Sequence, residues 1–306
     1  MDTIAVVVAD EQWLAQLTEC CNASWHAAKQ HDGALFSQPP PIDECPICML
    51  PLKMNRLERA YYPCCGKEIC IGCVYALGHN RRKCVFCRTP MNTSNRELIK
   101  QFESRVEAGD ALATFCLGCL YDGGRRGLRR DRDKAVKLWL RAAVLGNAGA
   151  SSMIGYACCY GSGVEVDHEK ALGCWKLAAI RGDAGSRYIL GTNEVCLRNY
   201  DRALNHFVIS AVAGHDESLT AIQMFYMLGY APKDVFEKAL RAHHKAKKET
   251  ESDQRETATA LVWGGAAPVD TPALPRLRML RLHTYTAGND SSTETTEKAE
   301  AEIEGV

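Results

Sequence analysis

Between Cys45 and Cys87 the chain places eight cysteines in four pairs: Cys45 and Cys48, Cys64 and Cys65, Cys70 and Cys73, Cys84 and Cys87. Structural zinc takes four thiolate or imidazole ligands in a closed tetrahedron, and two residues between sulfurs wrap a turn around one ion, so eight sulfurs match two ions. A segment this short cannot fold on an apolar core alone, and metal binding would supply much of its folding free energy. The second pair lacks the two-residue spacing. Gly66 and Lys67 stand where a Gly-His step commonly supplies a ligand, and a protonated lysine has no lone pair to give. Adjacent side chains on a strand point to opposite faces, so Cys64 and Cys65 can reach one ion only if the backbone turns; Pro63 and Gly66 favour a turn there. His79 is the alternative ligand.

Over residues 42–90 this arrangement resembles an all-cysteine RING finger. The resemblance implies cross-braced sites, with Cys45, Cys48, Cys70 and Cys73 on one zinc and Cys64, Cys65, Cys84 and Cys87 on the other. It also implies recruitment of a ubiquitin-conjugating enzyme carrying ubiquitin. On that likeness Ile47 supplies the apolar contact of the first loop and Leu77 the apolar side chain of the short helix. Arg88 would be the basic group that hydrogen-bonds both the enzyme and its ubiquitin. Two departures bear on enzyme affinity: Val85 replaces a frequent proline, and Leu77 is smaller than the tryptophan often found there. A four-sulfur zinc has no open position, so neither metal catalysis nor a cysteine nucleophile is expected. Rate would come from holding the partner's thioester in a reactive geometry.

The chain has sixteen cysteines in all, which in a small secreted protein would suggest disulfides. The longest apolar run near the start, Ile4 to Ala9, is too short to span a bilayer or to serve as a secretory core. A soluble intracellular protein is expected, in the cytoplasm with the nucleus as the alternative, its thiols reduced or metal-bound. The 37 basic and 37 acidic residues balance, so no global charge argues for a nucleic-acid or membrane partner.

Downstream the sequence repeats. Gly109-Asp110-Ala111, Gly146-Asn147-Ala148 and Gly182-Asp183-Ala184 recur about every 36 residues, and Leu117-Gly118, Ile154-Gly155 and Leu190-Gly191 keep the same offsets. Trp139, Trp175 and Phe207 follow in each unit, three residues before Ala142, Ala178 and Ser210. Ala135, Leu138, Trp139 and Ala142 fall on one helical face. Asp131 and Asp167 suit helix caps, and Gly146, Gly182 and Gly214 suit the left-handed residue after a helix end. Each unit therefore reads as a helix hairpin that must stack on its neighbours in a solenoid with a concave surface. These details resemble Sel-1-like repeats, relatives of the tetratricopeptide class, and the resemblance implies an adaptor that holds a protein substrate or partner. The third unit is short, and a degenerate fourth should end with a helix from Pro232 to about Glu249.

The expected architecture is mainly α: an N-terminal segment (1–41), the two-zinc finger (42–90), a connecting helix (91–108), the helical repeats (109–249) and a mostly disordered tail (250–306). Pro39-Pro40-Pro41 makes a stiff boundary before the finger. Cys116 and Cys119, and with them Cys158, Cys159, Cys174 and Cys196, read as small buried packing residues on repeat helices. Cys20, Cys21, His26 and His31 fit no familiar metal spacing and suggest an ordinary helix. The loop Gly124 to Lys134 holds six basic residues, but the same loop of the next unit is acidic, so its charge reads as decoration on a solvated turn. Leu277, Leu280 and Leu282 form at most a short docking motif. The function expected from the whole is a RING-type ubiquitin ligase, with an interaction scaffold lacking that activity as the alternative.

Overall fold

Why the repeat motif has its form is plain from the contact it makes. A Cβ placed on Gly118, Gly155 or Gly191 would lie 2.7, 2.5 or 2.6 Å from the ring of Trp139, Trp175 or Phe207. The glycine of each Leu/Ile-Gly step is therefore the socket into which the aromatic of the following helix drops. The computed structural model describes residues 32–37, 40–53, 58–78, 83–91 and 94–263. It is mainly helical.

A short turn of helix, α1 (Asp32–Leu35), precedes the finger. The finger contains an antiparallel pair, β1 (Arg59–Tyr62) and β2 (Lys67–Cys70), in the register Arg59↔Cys70 to Tyr62↔Lys67, followed directly by α2 (Ile71–Ala76). The connecting helix α3 (Asn95–Glu107) is capped by Ser94 and leads into the hairpins. These are α4 (Ala111–Asp122) with α5 (Arg132–Val144), α6 (Ala148–Tyr160) with α7 (His168–Ile180), α8 (Ala184–Cys196) with α9 (Tyr200–Val212), and α10 (Asp216–Met227) with α11 (Lys233–Thr250).

The first two hairpins are capped at both helix starts, and the glycines that follow hairpin ends take the left-handed backbone expected of them. Asp110, Asn147 and Asp183 accept from backbone N–H groups at the starts of α4, α6 and α8, and Asp131 and Asp167 do so for α5 and α7. Gly146, Gly182 and Gly214 all have φ above +90°, a backbone that glycine adopts without strain. One core runs from α1 and α3 through α8, and a second joins α9, α10 and α11. Arginines tie neighbouring units: Arg141 donates to the Val106 carbonyl at 2.8 Å, and Arg181 to that of Ala143 at 2.7 Å.

Within the stretch expected to be mostly disordered, α12 (Asp253–Trp263) is a helix packed on α2 of the finger, and residues 264–306 lie outside the described residues. One expectation needs correction: Cys196 is exposed, not buried. It occupies the repeat position of Tyr160, five residues after the socket glycine, and Tyr160 is also 52% exposed. The helix end at that register faces away from its neighbours in both units. Cys116, Cys158 and Cys174 are buried, while Cys119 and Cys159 are half-buried.

Candidate metal centres

The four cysteine pairs are brought together alternately. Cys45, Cys48, Cys70 and Cys73 form one group and Cys64, Cys65, Cys84 and Cys87 another, the sulfurs of each lying within 4.8 Å of one another. First and third pairs meet, and second and fourth pairs meet, so the two groups brace the finger crosswise.

Local backbone builds each group. The first and fourth pairs sit in matching loops. In one, Met49 N–H donates to the Cys45 carbonyl and Cys45 N–H to the Leu50 carbonyl, both at 2.9 Å. In the other, Arg88 donates to Cys84 at 3.0 Å and Cys84 to Thr89 at 2.8 Å. The residue after the second sulfur is left-handed in both, Met49 at φ 59° and Arg88 at φ 63°. The adjacent Cys64 and Cys65 lie in the β1–β2 turn, where Cys65 and Gly66 both donate to the Tyr62 carbonyl and Gly66 has φ +72°. That turn carries both sulfurs to one side, which an extended strand could not do. The third pair straddles the start of α2, whose N-cap is Cys70 itself, its sulfur accepting from Cys73 N–H at 3.4 Å. His79 lies outside the described residues, as do Cys20, Cys21, His26, His31 and the leucines from Leu277 onward.

The sulfur geometry admits a direct test of fit. A tetrahedral thiolate site with bonds of about 2.3 Å has edges of about 3.8 Å. The Cys45–Cys73 separation is 3.7 Å, and those of Cys48–Cys70 and Cys65–Cys84 are 3.8 Å. The donor set therefore fits a four-sulfur metal ion in size and chemistry. Burial pushes the Cys64, Cys65, Cys70 and Cys73 thiols above their ordinary range. Cys87 is lowered to about 6, chiefly by the Thr89 hydroxyl. Burial also opposes ionisation of Cys48, but donors from the Leu50 backbone and Arg255 outweigh it and bring the thiol to about 7. Sulfurs packed this closely cannot all ionise unaided, whereas a coordinated divalent cation deprotonates its thiols.

The three other finger positions singled out from sequence have different surroundings. Ile47 is 37% exposed. Arg88 is exposed in its left-handed turn, and Leu77, the C-cap residue of α2, is half-buried against the apolar cluster around the cysteines.

Sequence reasoning missed Arg255. This residue of α12 is 1% exposed and spreads its guanidinium over the first loop of the finger. Nη1 donates to the carbonyls of Pro51 at 2.6 Å and Thr250 at 2.7 Å, while Nη2 reaches the Leu50 carbonyl at 3.2 Å and the Cys48 sulfur at 3.4 Å. Gly72 makes room for it: a Cβ there would lie 2.8 Å from the Arg255 backbone nitrogen. Ser252, which accepts from Arg255 N–H, is the readable helix start, but a helix whose largest buried side chain is a cation gives no apolar stripe to find. The finger also meets the first repeat through Tyr61, whose hydroxyl donates to Asp110 at 2.7 Å, and the connecting helix through Arg105, which donates to the Pro63 carbonyl at 3.3 Å.

Residues 111–147 and 148–183 match the family described as Sel1 repeat, so the hairpins α4–α5 and α6–α7 are Sel1 repeats. Among solved structures the chain is similar to a Sel1 repeat protein from Oxalobacter formigenes, with 27% identity and a TM-score of 0.45, covering 53% of this chain and 67% of that one. It is also similar to a protective antigen of uropathogenic Escherichia coli, with 16% identity, a TM-score of 0.31 and coverage of 61% and 46%. An immunity protein from Pseudomonas aeruginosa gives 16% identity, a TM-score of 0.30 and coverage of 65% and 88%. No curated protein matches the sequence. Fold and site together define a mainly helical chain that carries two Sel1 repeats and a cysteine-rich finger that could hold two metal ions, and the repeats imply a role in protein interaction.

Proposed function

We propose that the protein is a RING-type ubiquitin ligase, with zinc in both cysteine groups and a protein substrate or partner held on the repeats. The observation that carries this reading is the alternate pairing of the four cysteine pairs at the spacing of a thiolate tetrahedron. Cys45, Cys48, Cys70 and Cys73 would hold one ion and Cys64, Cys65, Cys84 and Cys87 the other. Four-sulfur zinc supplies a structural crosslink and no open coordination position. Ile47 and Arg88 are exposed on the two loops and Leu77 is half-buried at the end of α2; these would be the contacts for a conjugating enzyme. Chemistry stays on the partner: the finger would restrict the thioester-linked ubiquitin so that a lysine of the target can attack.

A scaffold without ligase activity is the second reading, and the packing of α12 on α2 favours it, because α2 leads directly to Leu77. Self-ubiquitination with a panel of conjugating enzymes separates the two. Wild type should form conjugates, Ile47→Ala and Arg88→Ala should lose most of them, and metal analysis should find two zinc ions per chain. A zinc-loaded protein inactive with every enzyme establishes the scaffold, and a content near one ion per chain refutes the paired sites.

A further inference from the structure

The residues just ahead of the finger lie on the repeats in the manner of a bound peptide. Leu35 is 3% exposed inside the repeat core. Phe36 packs on His206 with ring centroids 4.8 Å apart, and the guanidinium of Arg202 sits 5.3 Å from the Phe36 ring. The receiving side chains come from α8 and α9, and α1 also touches α7.

At the floor of this groove is Arg187, 1% exposed. Its Nη1 donates to the Leu35 carbonyl at 2.6 Å, while Nε and Nη2 have no hydrogen-bond partner among the described residues. A guanidinium presents five donors in a planar fork that matches a carboxylate bidentately. One neutral carbonyl is poor compensation for a buried cation. The surroundings deepen the mismatch: the charges of Arg187, Arg202 and Lys176 all oppose protonation of His206, and Glu194, which favours it, is engaged by Arg202 at 3.2 Å. The groove therefore combines an apolar socket, an aromatic platform and an unsatisfied buried cation.

We infer that the groove formed by α7, α8 and α9 docks a partner peptide presenting an acidic side chain to Arg187 beside a leucine-phenylalanine type apolar pair, and that residues 32–37 occupy it as an internal surrogate. The inference rests on the reading of the repeats as the partner-holding surface and is independent of ligase activity. Among the described residues the surrogate supplies the apolar pair and one backbone acceptor, and two of Arg187's nitrogens are left without a partner. A true partner would engage them and displace it.

The test uses the full chain carrying Leu35→Ser with Phe36→Ala, which releases the segment from its groove. Its probes are three fluorescent peptides spanning residues 33–40, a stretch without acidic residues: the native sequence, the same with Ala34→Glu, and the same with Ser37→Glu. Fluorescence polarisation should show one acidic peptide binding about tenfold more tightly than the native sequence, the difference expected of one charge-assisted hydrogen bond. Wild-type chain should bind it more weakly than the released chain, because the segment competes from within. Arg187→Leu should bind acidic and native peptides alike while keeping the helical circular-dichroism signal. Should that variant not fold, the corresponding glutamine peptides on the released chain make the same comparison, and the preference for glutamate over glutamine must persist. Equal binding of acidic and neutral peptides, or no binding of any up to millimolar concentration, overturns the inference. Peptide binding that survives in a chain inactive with every conjugating enzyme counts against the ligase alone; the reverse counts against the groove alone.

Discussion

Arg255→Met should unseal the first cysteine group while leaving the second undisturbed. Of the arginine's short hydrogen bonds, the one to Thr250 lies within the same stretch of chain, so the docking of α12 depends on the bond to Pro51 at 2.6 Å and the longer ones to Leu50 and Cys48. A hydrogen bond from a charged donor is worth about 1.5–3 kcal/mol, and each buried carbonyl left unpaired adds about 1 kcal/mol or more. Methionine fills much of the volume and supplies no donor, so a net loss of about 3 kcal/mol is expected, raising the undocked population roughly a hundredfold. If metal leaves the first group through that opened state, its release accelerates by a comparable factor. The assay is zinc release from the loaded full chain into excess chromogenic chelator, which should resolve into one accelerated ion and one at the wild-type rate. Gly72→Ala reaches the same state from the other side, because its Cβ would meet the Arg255 backbone at 2.8 Å. Amide hydrogen exchange across residues 253–263 reports the undocking without reference to metal. Unchanged release of both ions, or equal acceleration of both, refutes the reasoning, as does unaltered exchange protection of α12.

Three other outcomes are expected. Gly155→Ala should lower stability by about 1–3 kcal/mol through overpacking against Trp175, whereas Gly185→Ala, whose Cβ meets nothing nearer than Asp183 Oδ1 at 3.6 Å, should be neutral or mildly stabilising; paired thermal melts compare them. Burial, helped by the Arg187 charge, lowers His206 to about 4 from an ordinary 6.5. The unfolded chain therefore takes up a proton that the folded chain refuses, and stability, full above pH 6.5, should fall by up to ~3 kcal/mol as pH drops towards 4. Denaturant titrations at pH 7 and pH 5 should show the fall in wild type and a smaller one in His206→Gln; equal slopes would discount this histidine. Stripping metal with a strong chelator should abolish the finger's protection from proteolysis while preserving most of the far-ultraviolet helical signal, since the long helices belong to the repeats.

The parts of this structure legible in sequence are those written in local chemistry. Asp131 and Asp167 cap helices, and Gly146 and Gly182 end them, because those residue types solve backbone problems within a few positions. The alternation of cysteine pairs was legible by likeness, and the turn that brings Cys64 and Cys65 together was signalled by Pro63 and Gly66. What stayed hidden crosses long stretches of chain through backbone acceptors. Arg255 caps carbonyls more than 200 residues away, and Arg187 holds the Leu35 carbonyl across 152 residues. A carbonyl has no residue type, so neither pairing leaves a mark in the sequence of its acceptor. Cys196 shows a smaller limit: its identity suggests a packing residue, but its register within the repeat decides its exposure.

The reach of Arg255 to the first loop of the finger also sets an order of events during synthesis. Cys48 leaves the ribosome 207 residues ahead of the arginine that will cover it. At about 5–20 residues per second that interval is roughly 10–40 s, in which the finger can close its sulfur groups while its flank on α2 stays bare. Whatever recognises that bare flank has its longest opportunity on the nascent chain, and the docking of α12 closes it.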